Sequence, residues 1–294
     1  MGYSNVLVGA GATPAAITVR RIGVEDLKIA LSRGFDDFLA MPTHAIFLCL
    51  FYPLAGLVLA RLAFGYSVVP LIFPLASGFA LVGPFAALGL YEISRRREAG
   101  LDVGATHVFD VMQSSSIGAI AALGALFVLI FGVWLAVANA IYIGDFGYAP
   151  PASIGAFLRD VFTTSAGWNL IVVGNGVGLL FAVVVLTIGV VSFPLLLDHD
   201  VGAAVALKTS IEAVVRNPVT MALWGLIVAA LLVLASVPAF LGLAVVLPVL
   251  GHATWHLYRR TVDADGVPRP EVMPRPQRKG SGADFPVNLL PWKR

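Results

Sequence analysis

His252 and His256 stand four residues apart, so a helix that carries them presents both rings on one face. At that spacing two imidazoles could ligate a metal or offer axial nitrogens to a haem. Such a site needs further ligands, and the other histidines are scattered: His44 and His107 lie far upstream, and His199 sits between Asp198 and Asp200. The alternative reading of the pair is a membrane boundary. Trp255, Tyr258, Arg259 and Arg260 surround it, and aromatic and cationic side chains gather where a helix leaves a bilayer. Asp198, His199 and Asp200 also look like ligands, but consecutive helical residues diverge by about 100°. Asp200 is read instead as the cap of a helix beginning near Val201. Arg61 is either an intramembrane charge with a substrate role or a side chain that snorkels to the headgroups.

The missing chemistry narrows the classes. No phosphate-binding loop, zinc-protease helix or nucleophile elbow occurs, and Gly174, Asn175, Gly176 and Gly178 read as a close-packing helix face. The lone Cys49 has no partner for a disulfide. With no nucleophile and base pair in view, the chain is expected to be no enzyme and to carry no cofactor.

These residues need a framework, and composition indicates which kind. At 59% hydrophobic and 12% charged residues, with a mean hydropathy of +0.90, the chain departs from soluble domains, which carry about 25% charge. It reads as an all-α polytopic membrane protein. Six apolar runs, at 44–63, 67–91, 117–139, 168–197, 219–236 and 238–258, approach the ~20 residues a helix needs to cross hydrocarbon. Prolines 70, 74 and 84 should kink the second run. Residues 1–22 read as a flexible leader, 23–262 as the six-helix domain, and 263–294 as a Pro-rich basic disordered tail. No span carries Asp, Glu or Lys in its middle, which disfavours a proton-coupled mechanism.

Short amphipathic segments accompany the spans. Val24, Leu27, Leu31, Phe35 and Phe38 recur at helical spacing, with Glu25, Lys28, Arg33, Asp36 and Asp37 on the other side. Lys208, Glu212 and Arg216 form a charged line on a second such helix, while Ala204, Leu207, Ile211, Val214 and Val215 face elsewhere. Between the third and fourth spans, an irregular segment with Tyr142, Phe146 and Tyr148 precedes a helix over 154–162 that lies flat in the outer interface. Of the 19 Lys and Arg, all but Arg61 and Arg159 fall in the N-terminal segment, the 92–116 and 198–218 loops and the tail. Both termini are therefore expected in the cytoplasm.

Setting Pro84 against Pro248 without gaps places Tyr91 on Trp255, Glu92 on His256, Arg95 on Arg259 and Arg96 on Arg260. The recurring features are the proline, the aromatic and the arginine pair, so Tyr91, Trp255, Tyr258, Arg95, Arg96, Arg259 and Arg260 are read as anchors at the inner interface. With the third and fourth spans as a weaker middle copy, the pattern suggests three hairpin repeats, each preceded by an inner amphipathic segment.

The stretches Asp26 to Pro42, Gly83 to Arg97, Ala206 to Pro218 with Ser210 and Asn217, and Pro248 to Arg260 with Gly251, His252, Trp255, His256 and Tyr258 carry a resemblance. The chain resembles a family of bacterial, mainly alphaproteobacterial, integral membrane proteins of unknown function, whose members are often labelled as like cytochrome c oxidase subunit I. The resemblance covers residues 20–262 and implies the bacterial inner membrane as location, with no established activity. The oxidase label implies a haem and copper site with about six convergent histidines, more than the five of this chain. The expected role is that of a non-enzymatic scaffold or accessory subunit, with the lipid bilayer and a membrane protein or second copy as partners, and no nucleic acid. A small-molecule or lipid transporter, and a haem- or metal-binding protein using His252 and His256, are the alternatives.

Overall fold

Wherever the apolar runs fall within the residues that the computed structural model describes (17–41, 69–81, 83–103, 105–238, 241–264, 266, 267 and 269), they fold as helix. The first expected span at 44–63, with His44, Cys49 and Arg61, lies outside the described residues, as do residues 1–16 and the tail beyond 269. In chain order the elements are β1 (Thr18–Val19), α1 (Val24–Ala40), α2 (Ile72–Leu81), α3 (Gly83–Ala86), α4 (Leu88–Glu98), a 3-10 segment (Ala105–Gln113), α5 (Ile117–Phe146), α6 (Ile154–Thr163), α7 (Ser165–Gly189), α8 (Ser192–Asp198), α9 (Ala203–Arg216), α10 (Pro218–Ser236), α11 (Leu243–Thr261) and β2 (Val262–Asp263). Three of the described helices are long and apolar enough to cross a membrane: Ile117–Phe146, Ser165–Asp198 and Pro218–Ser236.

In the second run, where Pro70, Pro74 and Pro84 are expected to kink the helix, the described residues leave the α-helix at Ala87, between α3 and α4. The fourth run breaks for a different reason. At Val191 the amide donates not to the carbonyl one turn back but to Ser210 Oγ (3.2 Å), and Ser210 donates in turn to the Thr187 carbonyl (2.8 Å). A hydroxyl from α9 is thus inserted into the helical ladder, a recognised cause of a sharp bend. Ser192 Oγ donates to the Ala206 carbonyl (3.1 Å) and fixes the same junction. The bend steers α8 so that Asp198 ends up buried.

α5 has 30 residues, about 45 Å of helix, which exceeds the ~30 Å hydrocarbon core. Its last turns take in Tyr142 and Phe146, which the sequence had placed in an irregular segment. Their rings stack at 5.4 Å and both meet Phe157 of α6, at 6.1 and 6.2 Å. That aromatic cluster holds the helix end together until Gly147, at φ 77°, stops it.

The three short amphipathic helices form where expected, and each turns large apolar side chains outward. α1 buries Leu27, Ala30, Gly34, Asp37 and Phe38 and exposes Val24, Phe35 and Leu39. α9 buries Ala206, Thr209, Ser210 and Ala213 and exposes Ile211 and Val215. Leu27, Asp37 and Phe38 of α1 apart, these inward residues are small or hydroxylated, and α1 approaches its neighbour closely. A Cβ on Gly34 would lie 2.5 Å from the Ala253 amide nitrogen, so only glycine fits that crossing of α1 and α11. Likewise α6 exposes Ile154, Leu158 and Phe162 while burying Val161.

α4, α8 and α11 meet one another, and each is covered by one short element: α4 by the 3-10 segment, α8 by α9 and α11 by α1. The chain ends nearest this junction are pinned. β1 pairs antiparallel with β2, Arg20 N–H donates to the Thr261 carbonyl (2.8 Å), and Asn217 binds both the Ile22 amide (2.8 Å) and the Arg20 carbonyl (3.0 Å). Residues 17–22, read from sequence as part of a flexible leader, are therefore a fixed strand and its continuation. At the other end, the start of the segment read as a disordered tail is docked at its described residues, because Ala264 and Val267 are buried and the Val267 carbonyl contacts His199 Nδ1 at 3.0 Å.

Gly34→Ala should destabilise the protein by about 1–3 kcal/mol, since the new methyl meets backbone that has no room to move. Thermal unfolding in detergent should show a lowered midpoint, and an unchanged midpoint would contradict the close crossing.

Candidate functional site

The polar side chains converge where α4, α8 and α11 end. At the centre is Asp37, 6% exposed. Its Oδ2 accepts from Ser94 Oγ (2.5 Å) and from His256 Nε2 (2.9 Å), and its Oδ1 accepts from Arg97 (2.6 Å). A carboxylate only accepts, so Nε2 of His256 carries its proton. The single Ser94 proton points to Asp37, which leaves Ser94 Oγ to accept from His252 Nδ1 at 2.8 Å. The tautomers follow from this chain of donors: His252 is protonated on Nδ1 and His256 on Nε2. The two remaining ring nitrogens, His252 Nε2 and His256 Nδ1, are buried without a hydrogen-bond partner.

A second group ties the three helix ends together. Arg259 donates through Nε to Glu98 Oε1 (3.1 Å) and through a terminal nitrogen to Asp198 Oδ2 (3.1 Å). Trp255 Nε1 donates to Glu98 Oε2 (2.9 Å) and Tyr258 OH to Asp198 Oδ2 (3.0 Å). His199 Nε2 lies 3.3 Å from the same Asp198 oxygen. Neighbouring residues 198 and 199 do converge, because the helix stops at Asp198 and His199 is extended; divergence by 100° applies only inside a helix. Asp200 does not cap α9, whose N-cap is Gly202 at φ 74°, and it accepts instead from Ser115 Oγ (3.2 Å).

The remaining pairs are local. Glu92, 2% exposed, receives a two-pronged contact from Arg95, with both distances 2.7 Å. Arg96 reaches the Asp102 carbonyl (2.7 Å) and Asp110 (3.3 Å), and Arg260 reaches Asp26 at 2.7 Å. The seven residues read as interface anchors are thus turned toward protein partners. Tyr91, Trp255 and Tyr258 are each 1% exposed, and Arg95, Arg96, Arg259 and Arg260 all pair with carboxylates on this or a neighbouring helix.

This geometry limits the available chemistry. Ser94 and His252 are within hydrogen-bond reach, but the serine donates to Asp37 rather than to the ring and is wholly buried. A nucleophilic serine needs the reverse polarity and access to substrate. His252 and His256 offer one free nitrogen each, short of the four ligands a structural zinc takes. Among the described residues no three His, Cys, Asp or Glu side chains group to hold a metal ion. The donor set therefore does not fit a haem and copper centre. A cleft of about 240 Å³ opens beside the network, lined by Arg33, Asp36, Asp37, Arg97, Glu98 and His256. A second of about 250 Å³ lies at the far end of α5, lined by Pro70, Asn139, Tyr142, Ile143, Gly147, Tyr148 and Pro150.

Ser94 and Glu98 were not singled out from sequence; Asp198 was weighed only as a metal ligand, Glu92 only as the counterpart of His256, and Asp37 only as part of a charged helix face. One signal existed for Asp37: it lies three, seven and ten residues after Gly34, Ala30 and Leu27, on the stripe that α1 buries.

Long apolar helices whose ends are tied by a buried polar network define the class, and the chain is an integral membrane protein. Residues 72–198 match the model of a family described as predicted integral membrane protein (DUF2189). The matched segment runs from α2 to the end of α8, so it contains Ser94 and Asp198 but neither Asp37 nor the two histidines. No curated protein and no solved structure matches the chain.

Burial pushes the Asp37 carboxyl upward, but the hydrogen bonds from His256 and Ser94 outweigh it and hold the group below its ordinary value of 3.8. The resulting stabilisation is complete above that value and is lost as pH falls through the lower folded one. Thermal stability should therefore drop in acid below pH 3.8, and Asp37→Asn should remove that part of the drop when unfolding is followed across pH. Ser94→Ala removes one of the two donors to Asp37 Oδ2 and strands His252 Nδ1, and it should cost about 1–3 kcal/mol in the same measurement.

Proposed function

We propose that this chain is a non-enzymatic, six-span protein of the bacterial inner membrane, with both termini in the cytoplasm, acting as a scaffold or accessory subunit of a membrane complex. The observation that carries the reading is the outward turn of large apolar side chains on the short helices. α1 exposes Val24, Phe35 and Leu39 and α9 exposes Ile211 and Val215, while the faces beneath are fixed by close packing and ion pairs. A protein that holds its charged residues in internal pairs and displays apolar side chains on rigid short helices is suited to contact a bilayer surface or a neighbouring membrane protein. The lysines and arginines of α1, α4, α9 and the tail support the cytoplasmic assignment of that face.

The three-repeat reading has support from the packing order. With the copies taken as 24–98, 105–198 and 203–261, the cover of each exit helix comes from the next copy in the chain, and the first copy's α1 covers the last exit helix, α11. The contacts thus close into a ring.

The test is purification at native expression in mild detergent, with an absorption spectrum of the eluate. The expected result is a stoichiometric membrane-protein partner or a homo-oligomer that Phe35→Ser and Leu39→Ser together abolish while the unfolding midpoint is kept. A monomer that recovers nothing would overturn the reading, and a Soret band would favour a haem protein instead. Reporter fusions should place residue 150 outside and the C-terminus inside.

A further inference from the structure

We propose that the cleft between α1 and α4 binds a phosphoethanolamine group, with its phosphate on Arg33 and Arg97 and its ammonium on Asp36. The argument turns on which of the lining charges are already satisfied. Asp37 is saturated by Ser94, His256 and Arg97. Glu98 accepts from Trp255 on one oxygen and from Arg259 on the other. Neither carboxylate needs a ligand.

Three groups in the same cleft are left with capacity. Arg97 uses only one terminal nitrogen, for the Asp36 carbonyl (3.2 Å) and for Asp37. Its Nε and its other terminal nitrogen keep three N–H donors, and its side chain is 35% exposed. Arg33 and Asp36 are exposed and three residues apart on one helix face. They form no ion pair with each other or with another described side chain. The unpaired Arg33 and Asp36, with the free donors of Arg97 beside them in one cleft, complement a ligand that joins an anion to a cation. Arginine matches phosphate geometry in particular, because its planar fork can donate two parallel bonds.

Size and place agree with this class. A cleft of about 240 Å³ is below the ~300–1,000 Å³ of sites for drug-sized ligands, and so suits a headgroup rather than a whole organic substrate. α1 also exposes Phe35 and Leu39, next in sequence to the polar lining, so acyl chains have an apolar surface beside the headgroup. The same chemistry is available from a phosphatidylethanolamine lipid or from soluble phosphoethanolamine. The lipid source rests on the reading above that α1 lies at the cytoplasmic face.

The test uses the full chain, delipidated in detergent, titrated in native mass spectrometry with dioleoyl phosphatidylethanolamine, phosphatidylcholine and phosphatidylglycerol. Ethanolamine lipid should bind most tightly, because the choline group cannot donate hydrogen bonds to Asp36 and glycerol carries no charge for it. Arg33→Ala should weaken all three lipids by about two- to fivefold, the change expected for one exposed charge contact. Asp36→Asn should remove the preference for ethanolamine over glycerol while leaving the weaker binding intact. Both substitutions are at exposed positions, and an unchanged unfolding midpoint confirms the fold. Equal binding of the three lipids, or binding indifferent to both substitutions, would overturn the proposal. Soluble phosphoethanolamine that displaces the lipid supports the site with a soluble ligand; failure to displace it supports the site with a lipid. If reporter fusions put the C-terminus outside while the preference persists, the topology falls and the site stands.

Discussion

A carboxylate removed from water is costly unless donors satisfy it and a positive charge balances it. Asp37 meets both conditions only in the assembled protein. Its three donors come from two helices: Ser94 and Arg97 on α4, and His256 on α11, the helix against which α1 packs most extensively. Removing α1 from the assembly would leave Ser94, Arg97 and His256 without their shared acceptor, and removing α11 would take away one of the three donors of the carboxylate. The amphipathic N-terminal helix is therefore as much a part of the bundle as the longer helices beside it.

That constraint shapes the packing around it. To bring Asp37 within reach of His256, α1 crosses α11 at backbone contact through Gly34 and Ala253. Close crossing requires a small inward face, so Val24, Phe35 and Leu39 are left on the outside. α9 repeats the solution with Ala206, Ser210 and Ala213, and its serine also enters the α7–α8 bend. The bend delivers Asp198 to Tyr258 and Arg259, so the second polar group depends on a hydroxyl one layer away. Interiors of this kind gain specificity from polar networks only when every member finds partners. The two open positions here, His252 Nε2 and His256 Nδ1, are the places where the network is incomplete.

The long helices were legible because runs of apolar residues near twenty long have few other solutions. Their breaks were half legible. The second run, which carries Pro84, is interrupted at Ala87, but the bend at Val191 depends on Ser210, nineteen residues away, and a local pattern cannot show it. The short helices were legible in extent, but which residues each buries was not. Hydrophobic periodicity assumes that large apolar residues face inward, whereas here lipid or a partner is available outside and close packing selects glycine, alanine and serine inside. The same assumption hid Asp37 on what looked like a solvated face. It also sent Tyr91, Trp255, Tyr258 and the arginine pairs to the headgroups, when Tyr91 is buried in the core, Arg95 pairs with Glu92 on its own helix, and carboxylates on other elements receive the donors of the rest. Spacing did bring His252 and His256 to one face, but what they meet, Ser94 and Asp37, comes from helices 158 and 219 residues away.

The central claim is that Asp37 and His256 act as one unit joining α1 to α11. A double-mutant cycle of Asp37→Asn and His256→Gln, read as unfolding free energies in detergent at neutral pH, tests it most directly. Residues sharing a hydrogen-bond network couple by about 0.5–3 kcal/mol, and a coupling in that range is the predicted result. Effects that add to within about 0.3–0.5 kcal/mol would show that the two side chains stabilise the protein independently and would contradict the account.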